Sequence, residues 1–142
     1  MKTVQDLLDE NNRDLIKIDP NETVFEALSM LSKYDIGALV VMNGKILSGI
    51  FSERDYARKV ILSGKSSKDT FVKEIMTEKV KCISPQNNIE DCMKIMTESR
   101  FRHLPVLKDD KVLGIISIGD IVRATITYQK FIISQLEQYI SS

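Results

Sequence analysis

The sequence predicts an α+β fold: two copies of a β-α-β-β-α unit packed with pseudo-twofold symmetry, followed by a long C-terminal helix. Three observations carry this. Shifted by 65 positions, residues 20–61 align with 85–126 without a gap; Pro20, Leu39, Val41, Gly49, Ile50, Ser52, Asp55, Arg58 and Ile61 each meet an identical residue. The apolar rhythm persists where identity fails, with Val24, Ala27, Leu28 and Leu31 falling on Ile89, Cys92, Met93 and Met96. After Asp120, apolar residues recur every three to four positions as far as Ile140, with no Gly or Pro between.

Each repeat reads the same way. Leu15–Ile18 and Val80–Ile83 are short strand candidates ahead of a proline. Asn21–Tyr34 and Gln86–Ser99 have the i, i+3, i+4, i+7 spacing of amphipathic helices, with Asn21 and Asn87 or Asn88 placed as N-caps. Leu39–Met42 and Leu104–Leu107 are compact apolar runs suited to buried strands. Asn43-Gly44 signals a hairpin, and Asp109-Asp110 stands there in the second copy. Ile46–Phe51 and Val112–Ile116 return, and a helix follows each near Ser52 or Ser117. Thr3–Leu8 and Val72–Met76 are short helix candidates, each ahead of its own repeat. The expected division is 1–65 for repeat one, 66–128 for repeat two and 129–142 for the helical extension. Residues 63–69 form a polar linker. An apolar stripe on a protruding helix needs a cover, either its own core or a second subunit in a symmetric dimer.

Composition narrows the function classes. Of 142 residues, 43% are hydrophobic and 28% charged, and 20 basic residues balance 20 acidic ones, so no basic excess marks a nucleic-acid coat. No apolar run approaches the roughly 18 residues of a membrane span. The N-terminus is too polar for a signal peptide. Cys82 and Cys92 have no ligand-spaced His or Cys near them, so no zinc site is expected. They read as buried thiols in a reducing, cytoplasmic setting. The methionines Met30, Met93 and Met96 read as core. His103 is the single histidine, and no Gly-x-Ser-x-Gly, His-Glu-x-x-His, Walker or GxGxxG pattern occurs, so an enzyme is not expected.

The chemistry lies in Gly49–Asp55 (GIFSERD) and Gly114–Asp120 (GIISIGD). Ser-x-x-Asp at a helix start has the spacing of a capping box, although Glu or Gln is the usual reciprocal partner. The other reading is a ligand site. A helix N-terminus offers amides and positive potential to a phosphate. An outward Asp in the first turn can accept two hydroxyls of a vicinal diol. The second cluster, Arg100-Phe101-Arg102-His103, ends in a candidate phosphate clamp of Arg102 and His103. The first copy has Asp35-Ile36-Gly37-Ala38 there, so the fold does not require the basic pair. Arg54, Arg58 and Lys59 follow Ser52 as a charge run. Arg54 lies in the first turn, against the helix dipole, which points to a ligand role. Lys65–Lys68 is either plain linker or a strap closing over a phosphate.

With both motif copies and Arg-His-Leu-Pro-Val in the second, the doubled unit resembles a tandem pair of CBS (cystathionine β-synthase) domains, a Bateman module, and the small stand-alone members above all. The resemblance implies regulatory binding of adenosine ligands such as AMP, ADP, ATP, S-adenosylmethionine or NAD(H), in clefts between the repeats. It implies that Asp55 and Asp120 hold ribose hydroxyls and that Ser52 and Ser117 assist near ribose or phosphate. Ile50 and Ile115 would flank adenine, Ile18, Asp19, Ile83 and Ser84 would border it, and Gly37 and Ala38 would line the cleft opposite Asp120. Arg102 and His103 would meet phosphates. The first copy lacks that pair and has Val40 where the second has Pro105, so unequal sites are expected, with Arg54 serving the first. The expected partners are an adenosine ligand, a second copy in a homodimer and an effector protein. The rivals are a structural module whose motifs are only caps, and a nucleotide-using enzyme.

Overall fold

The computed structural model describes residues 2–141. In chain order the elements are α1 (Val4–Asn11), β1 (Lys17–Ile18), α2 (Val24–Tyr34), β2 (Ala38–Asn43), β3 (Ile46–Ser52), α3 (Glu53–Tyr56), a π-helical stretch (Ala57–Ile61), α4 (Val72–Ile75), α5 (Ile89–Ser99), β4 (His103–Lys108), β5 (Lys111–Ser117) and α6 (Ile118–Ser141). The expected order is met, with shifted edges. The second copy's first strand is reduced to a single parallel bridge, Ile83 to Val106. Thr23, not Asn21, caps α2, its hydroxyl accepting from the Glu26 amide at 3.2 Å. Asn88 caps α5 as expected. The first hairpin turns at Gly44-Lys45 rather than Asn43-Gly44, because Asn43 still pairs with Ile46. Gly44 takes φ +63°, and Asp109 and Asp110 take φ 51° and 64°, as a tight two-residue turn demands.

Two compact units result. One joins residues 14–80 with 109–113, and the other joins the N-terminal residues through Arg13 with 81–108 and the chain from Gly114 on. The short helices therefore lie with the copy that does not follow them. In the first unit, α4 docks on the start of α2: the Val72 amide donates to Glu22 O at 2.9 Å, Lys73 to Pro20 O at 2.9 Å, and Val24 to Thr70 O at 2.8 Å. In the other, α1 repeats this on α5, with Val4 donating to Asn87 O at 2.8 Å, Gln5 to Pro85 O at 3.0 Å, and Ile89 to Lys2 O at 3.3 Å. Each docking supplies acceptors to helix-start amides that would otherwise go unsatisfied. The linker is part of this. Phe25 donates to Ser67 O at 2.9 Å, and buried Thr70 donates through its hydroxyl to Ser66 O at 2.7 Å.

The first unit carries a three-stranded sheet, β1 parallel to β2 and β2 antiparallel to β3. Its core gathers Val24, Leu31, Leu39, Phe51, Val72 and Ile75, all at most 4% exposed. The end of β3 is buried from Gly49 through Phe51, and Ser52, half-buried, closes the strand where α3 begins. In the other unit β4 pairs with β5, and Ile89, Cys92, Leu104, Ile116 and Ile121 are buried. Burial pushes the Cys92 thiol up to about 11, with the Asp91 charge adding to it. α6 runs unbroken, but from Ile126 on every described residue is exposed, so the extension does not fold back on its own core. No described helix is long and apolar enough to cross a membrane.

Candidate functional site

The glycine shared by the two motifs has a steric cause. A Cβ on Gly49 would stand 2.5 Å from the Thr77 carbonyl oxygen, and one on Gly114 would stand 2.8 Å from Leu8 Cδ2. The chain leaving α4 lies across β3, with Ile50 and Thr77 exchanging backbone hydrogen bonds of 3.0 and 2.9 Å. Leu8 of α1 covers β5 in the corresponding place.

Both Ser-x-x-Asp motifs are complete capping boxes. Asp55 N donates to Ser52 Oγ at 3.2 Å and Ser52 N to Asp55 Oδ2 at 3.0 Å. Asp120 N donates to Ser117 Oγ at 3.1 Å and Ser117 N to Asp120 Oδ2 at 2.9 Å. The expectation that Asp fits a cap poorly is overturned. Asp6 at α1 and Asp91 at α5 close boxes of the same kind, with Thr3 N and Asn88 N each donating at 3.0 Å. Those backbone hydrogen bonds hold both carboxyls below the usual carboxylate range. One methylene shorter than Glu, Asp still reaches the N-cap amide from N3.

The outward-facing diol acceptor is corrected too, because Asp55 is 8% and Asp120 3% exposed. A carboxylate has about four acceptor positions, and each of these is filled from within. Asp55 Oδ2 takes Ser52 N and Ser52 Oγ, the latter at 3.1 Å, while Oδ1 takes Thr77 Oγ1 at 3.2 Å and Lys59 Nζ at 3.1 Å. Asp120 Oδ2 takes Ser117 N and Arg13 Nη2; Oδ1 takes the same Arg13 nitrogen, both arms 3.0 Å, and Arg123 Nη2 at 2.6 Å. One more amide of each first turn is also used. Glu53 N donates to Gly37 O at 3.1 Å, and Ile118 N to Arg102 O at 2.8 Å.

The remaining anticipated residues fall in three groups. Ile18, Ala38, Ile50 and Ile83 are buried at 4 to 6% exposure, so they serve their own sheets. Asp19 and Ser84 shape the turns after the first strand: Asp19 Oδ1 accepts from Asn21 N at 2.8 Å, and Ser84 N donates to Asn87 Oδ1 at 2.9 Å. Gly37 and Ile115 are half-buried, while Arg54 and Arg102 are exposed. Beside α3, Gly37 and Glu53 line a polar depression of about 640 Å³ with Asp35, Ser32 and Tyr56. His103 opens β4. Burial lowers its pKa below the ordinary 6.5; Asp120 opposes that shift and Arg102 adds to it, which places all three within electrostatic reach. At the start of α6 Arg13 and Arg123 share the Asp120 carboxylate, with His103 within its electrostatic reach.

Sequence reasoning missed Arg13, Thr77 and the pairing roles of Lys59 and Arg123. The latter two had a signal, since i+4 and i+3 from an Asp are pairing positions on a helix. Arg13 and Thr77 had none, as they reach their carboxylates from 107 and 22 residues away.

A family model described as CBS domain matches residues 4–61 and 72–126. A mitochondrial CBS domain-containing protein of Arabidopsis thaliana is 42% identical over 125 residues, covering 84% of this chain; the chain spans 61% of that relative's length. A CBS-domain crystal structure is 49% identical with a TM-score of 0.84, over 88% of this chain and 98% of the other. A CBS domain pair solved with 5′-methylthioadenosine and S-adenosyl-L-methionine is 25% identical with a TM-score of 0.81, over 90% of this chain and 98% of that one.

Proposed function

Because the chain belongs to the CBS-domain family, we propose that it is a regulatory module that binds an adenine nucleotide (AMP, ADP, ATP or NAD(H)) and passes its occupancy to an effector protein, without catalysis. The observation that carries this reading is the charge at the start of α6. Arg13 and Arg123 both pair with Asp120, so positive charge exceeds negative next to the N-terminus of a 24-residue helix, and the Arg102 backbone accepts from the first amide of that helix. The ligands of the similar CBS pair are adenosine compounds with cationic or uncharged tails. Here the basic surroundings favour an anionic one, with Arg102 and His103 at the phosphate and Asp120 at the ribose. The first site, with Arg54 exposed and no second basic pair, is the weaker.

Calorimetry with AMP, ATP, NADH and S-adenosylmethionine tests this. Nucleotide binding that Arg102→Ala weakens about tenfold, the worth of a charge-assisted hydrogen bond, supports it. No binding by a folded protein would leave the structural module, which the two saturated capping boxes favour. Turnover of the nucleotide would make it an enzyme.

We also place a homodimer interface on α6. Phe131, Ile133, Leu136, Tyr139 and Ile140 are 55 to 82% exposed. They continue an apolar groove of about 270 Å³ between Met93 and Met96 of α5 and Ile121, Val122 and Ile126 of α6. Such an exposed stripe marks an interaction surface. Leu136→Glu with Phe131→Glu should halve the mass seen by light scattering. A wild type that is monomeric at high concentration would refute the interface.

A further inference from the structure

The two saturated carboxylates differ in what it takes to open them. At Asp55 the donors from outside the capping box are Thr77 and Lys59. Thr77 cannot swing away, since its amide and carbonyl are both bonded to Ile50, and Lys59 Nζ is held a second time by Ile75 O at 3.0 Å. At Asp120 the outside donors are Arg13 and Arg123; Arg123 sits on the same helix as the aspartate, and Arg13 is the one that comes from another segment. Its side chain is 49% exposed while that of Asp120 is 1% exposed, so the arginine can leave for water and the aspartate cannot. Arg13 follows Asn12, the left-handed cap that ends α1 (φ 44°), and residues 12–14 are exposed and outside any regular element. One guanidinium nitrogen straddles both carboxylate oxygens at 3.0 Å and takes the two positions that a pair of hydroxyls would use.

We propose that Arg13 is a displaceable internal occupant of the α6 site. It takes the place of a ribose diol at Asp120 when the site is empty, and a nucleoside must expel it to bind. The inference rests on the nucleotide-binding reading above and adds a gate to it. Expulsion frees residues 12–14 and loosens α1, so occupancy is reported as mobility of the N-terminal segment. The first site has no such gate, because Thr77 is fixed through its backbone.

Adenosine and AMP separate a competitor from a phosphate ligand, since adenosine carries no phosphate. Calorimetry on the full chain should show Arg13→Ala binding both compounds more tightly, about tenfold, the equivalent of one hydrogen bond to a charged group no longer broken. Arg13→Gln, which keeps a donor and guards against a misfolded alanine variant, should fall between. Saturating adenosine should speed amide exchange at residues 12–14 in the wild type and leave the Arg13→Ala variant unchanged there. Unchanged or weaker adenosine binding by the variant overturns the proposal, and loss of AMP binding alone would make Arg13 a phosphate ligand instead. Failure of the wild type to bind any adenosine compound defeats the nucleotide reading itself, a result distinct from wild-type binding that Arg13 does not affect.

Discussion

The same seven-residue motif is installed twice and ends in two different electrostatic states. At Asp55 the carboxylate meets one ammonium and two neutral hydroxyls; Lys59 is held again by Ile75 O, and Thr77 is fixed through its backbone to Ile50. At Asp120 it meets two guanidinium groups whose side chains are 49% and 69% exposed. The first arrangement is a closed structural knot; the second has positive charge in excess, on side chains open to solvent. Position 54 sharpens the contrast. Arg54 stands in the first turn of α3, while its counterpart Gly119 carries no side chain, and a Cβ there would come within 3.4 Å of Arg123 Nη1. The glycine leaves room for Arg123 to reach back to the carboxylate.

The two copies should differ most at their glycines. Gly49→Ala drives a Cβ against the backbone oxygen of Thr77, which cannot yield without losing the Ile50 bridge. The expected cost is about 2–4 kcal/mol, as for overpacking with backbone displacement. Gly114→Ala meets only the end of the Leu8 side chain, which can rotate, and should cost about 1 kcal/mol. Equal losses in urea denaturation would show that the two crossings are equally rigid.

Next in size are the carboxylates. Asp55→Ala removes the reciprocal half of a cap and leaves Lys59 and Thr77 facing a part-buried space, for an expected loss of about 2–3 kcal/mol. Asp120→Ala frees two arginines that can turn to solvent, so about 1–2 kcal/mol is expected. If Asp120→Ala proves the costlier, the arginine cluster is structural rather than poised.

The smallest effect is on pH dependence. His103 titrates below its ordinary 6.5 when folded, because burial disfavours the imidazolium. The unfolded chain then binds the proton more readily, so stability is full above 6.5 and declines as pH falls below it toward the folded value. His103→Asn should flatten that decline in thermal melts between pH 7 and 5. The first copy has Ala38 at this position and contributes no such slope. An undiminished decline in the variant would assign it to carboxylates instead.

Much of the molecule was legible because its signals are local. The period of Val24, Ala27 and Leu31 marks α2, the compact apolar run at Leu39–Met42 marks a buried strand, and the uninterrupted stripe after Asp120 marks α6. The serine at the head of each motif helix was readable as a cap. The state of the aspartates was not. Burial and saturation depend on Thr77, Lys59, Arg13 and Arg123, and a repeat alignment cannot show which way such side chains turn. Arg13 lies outside the aligned repeats, so the alignment gave it no counterpart.

The sequence by itself determined the repeat, the order of elements and the helix that outruns the domain, because hydrophobic period and turn chemistry act over a few residues. Only the tertiary structure decided that α4 lies with the repeat before it and α1 with the repeat that starts some seventy residues later. Both helices carry the same kind of pattern, and either could satisfy the open amides of α2 or α5. The choice rests on backbone hydrogen bonds between segments far apart in the chain. It brings Arg13 to Asp120 and Thr77 to Asp55, and so makes two sites with one motif unlike.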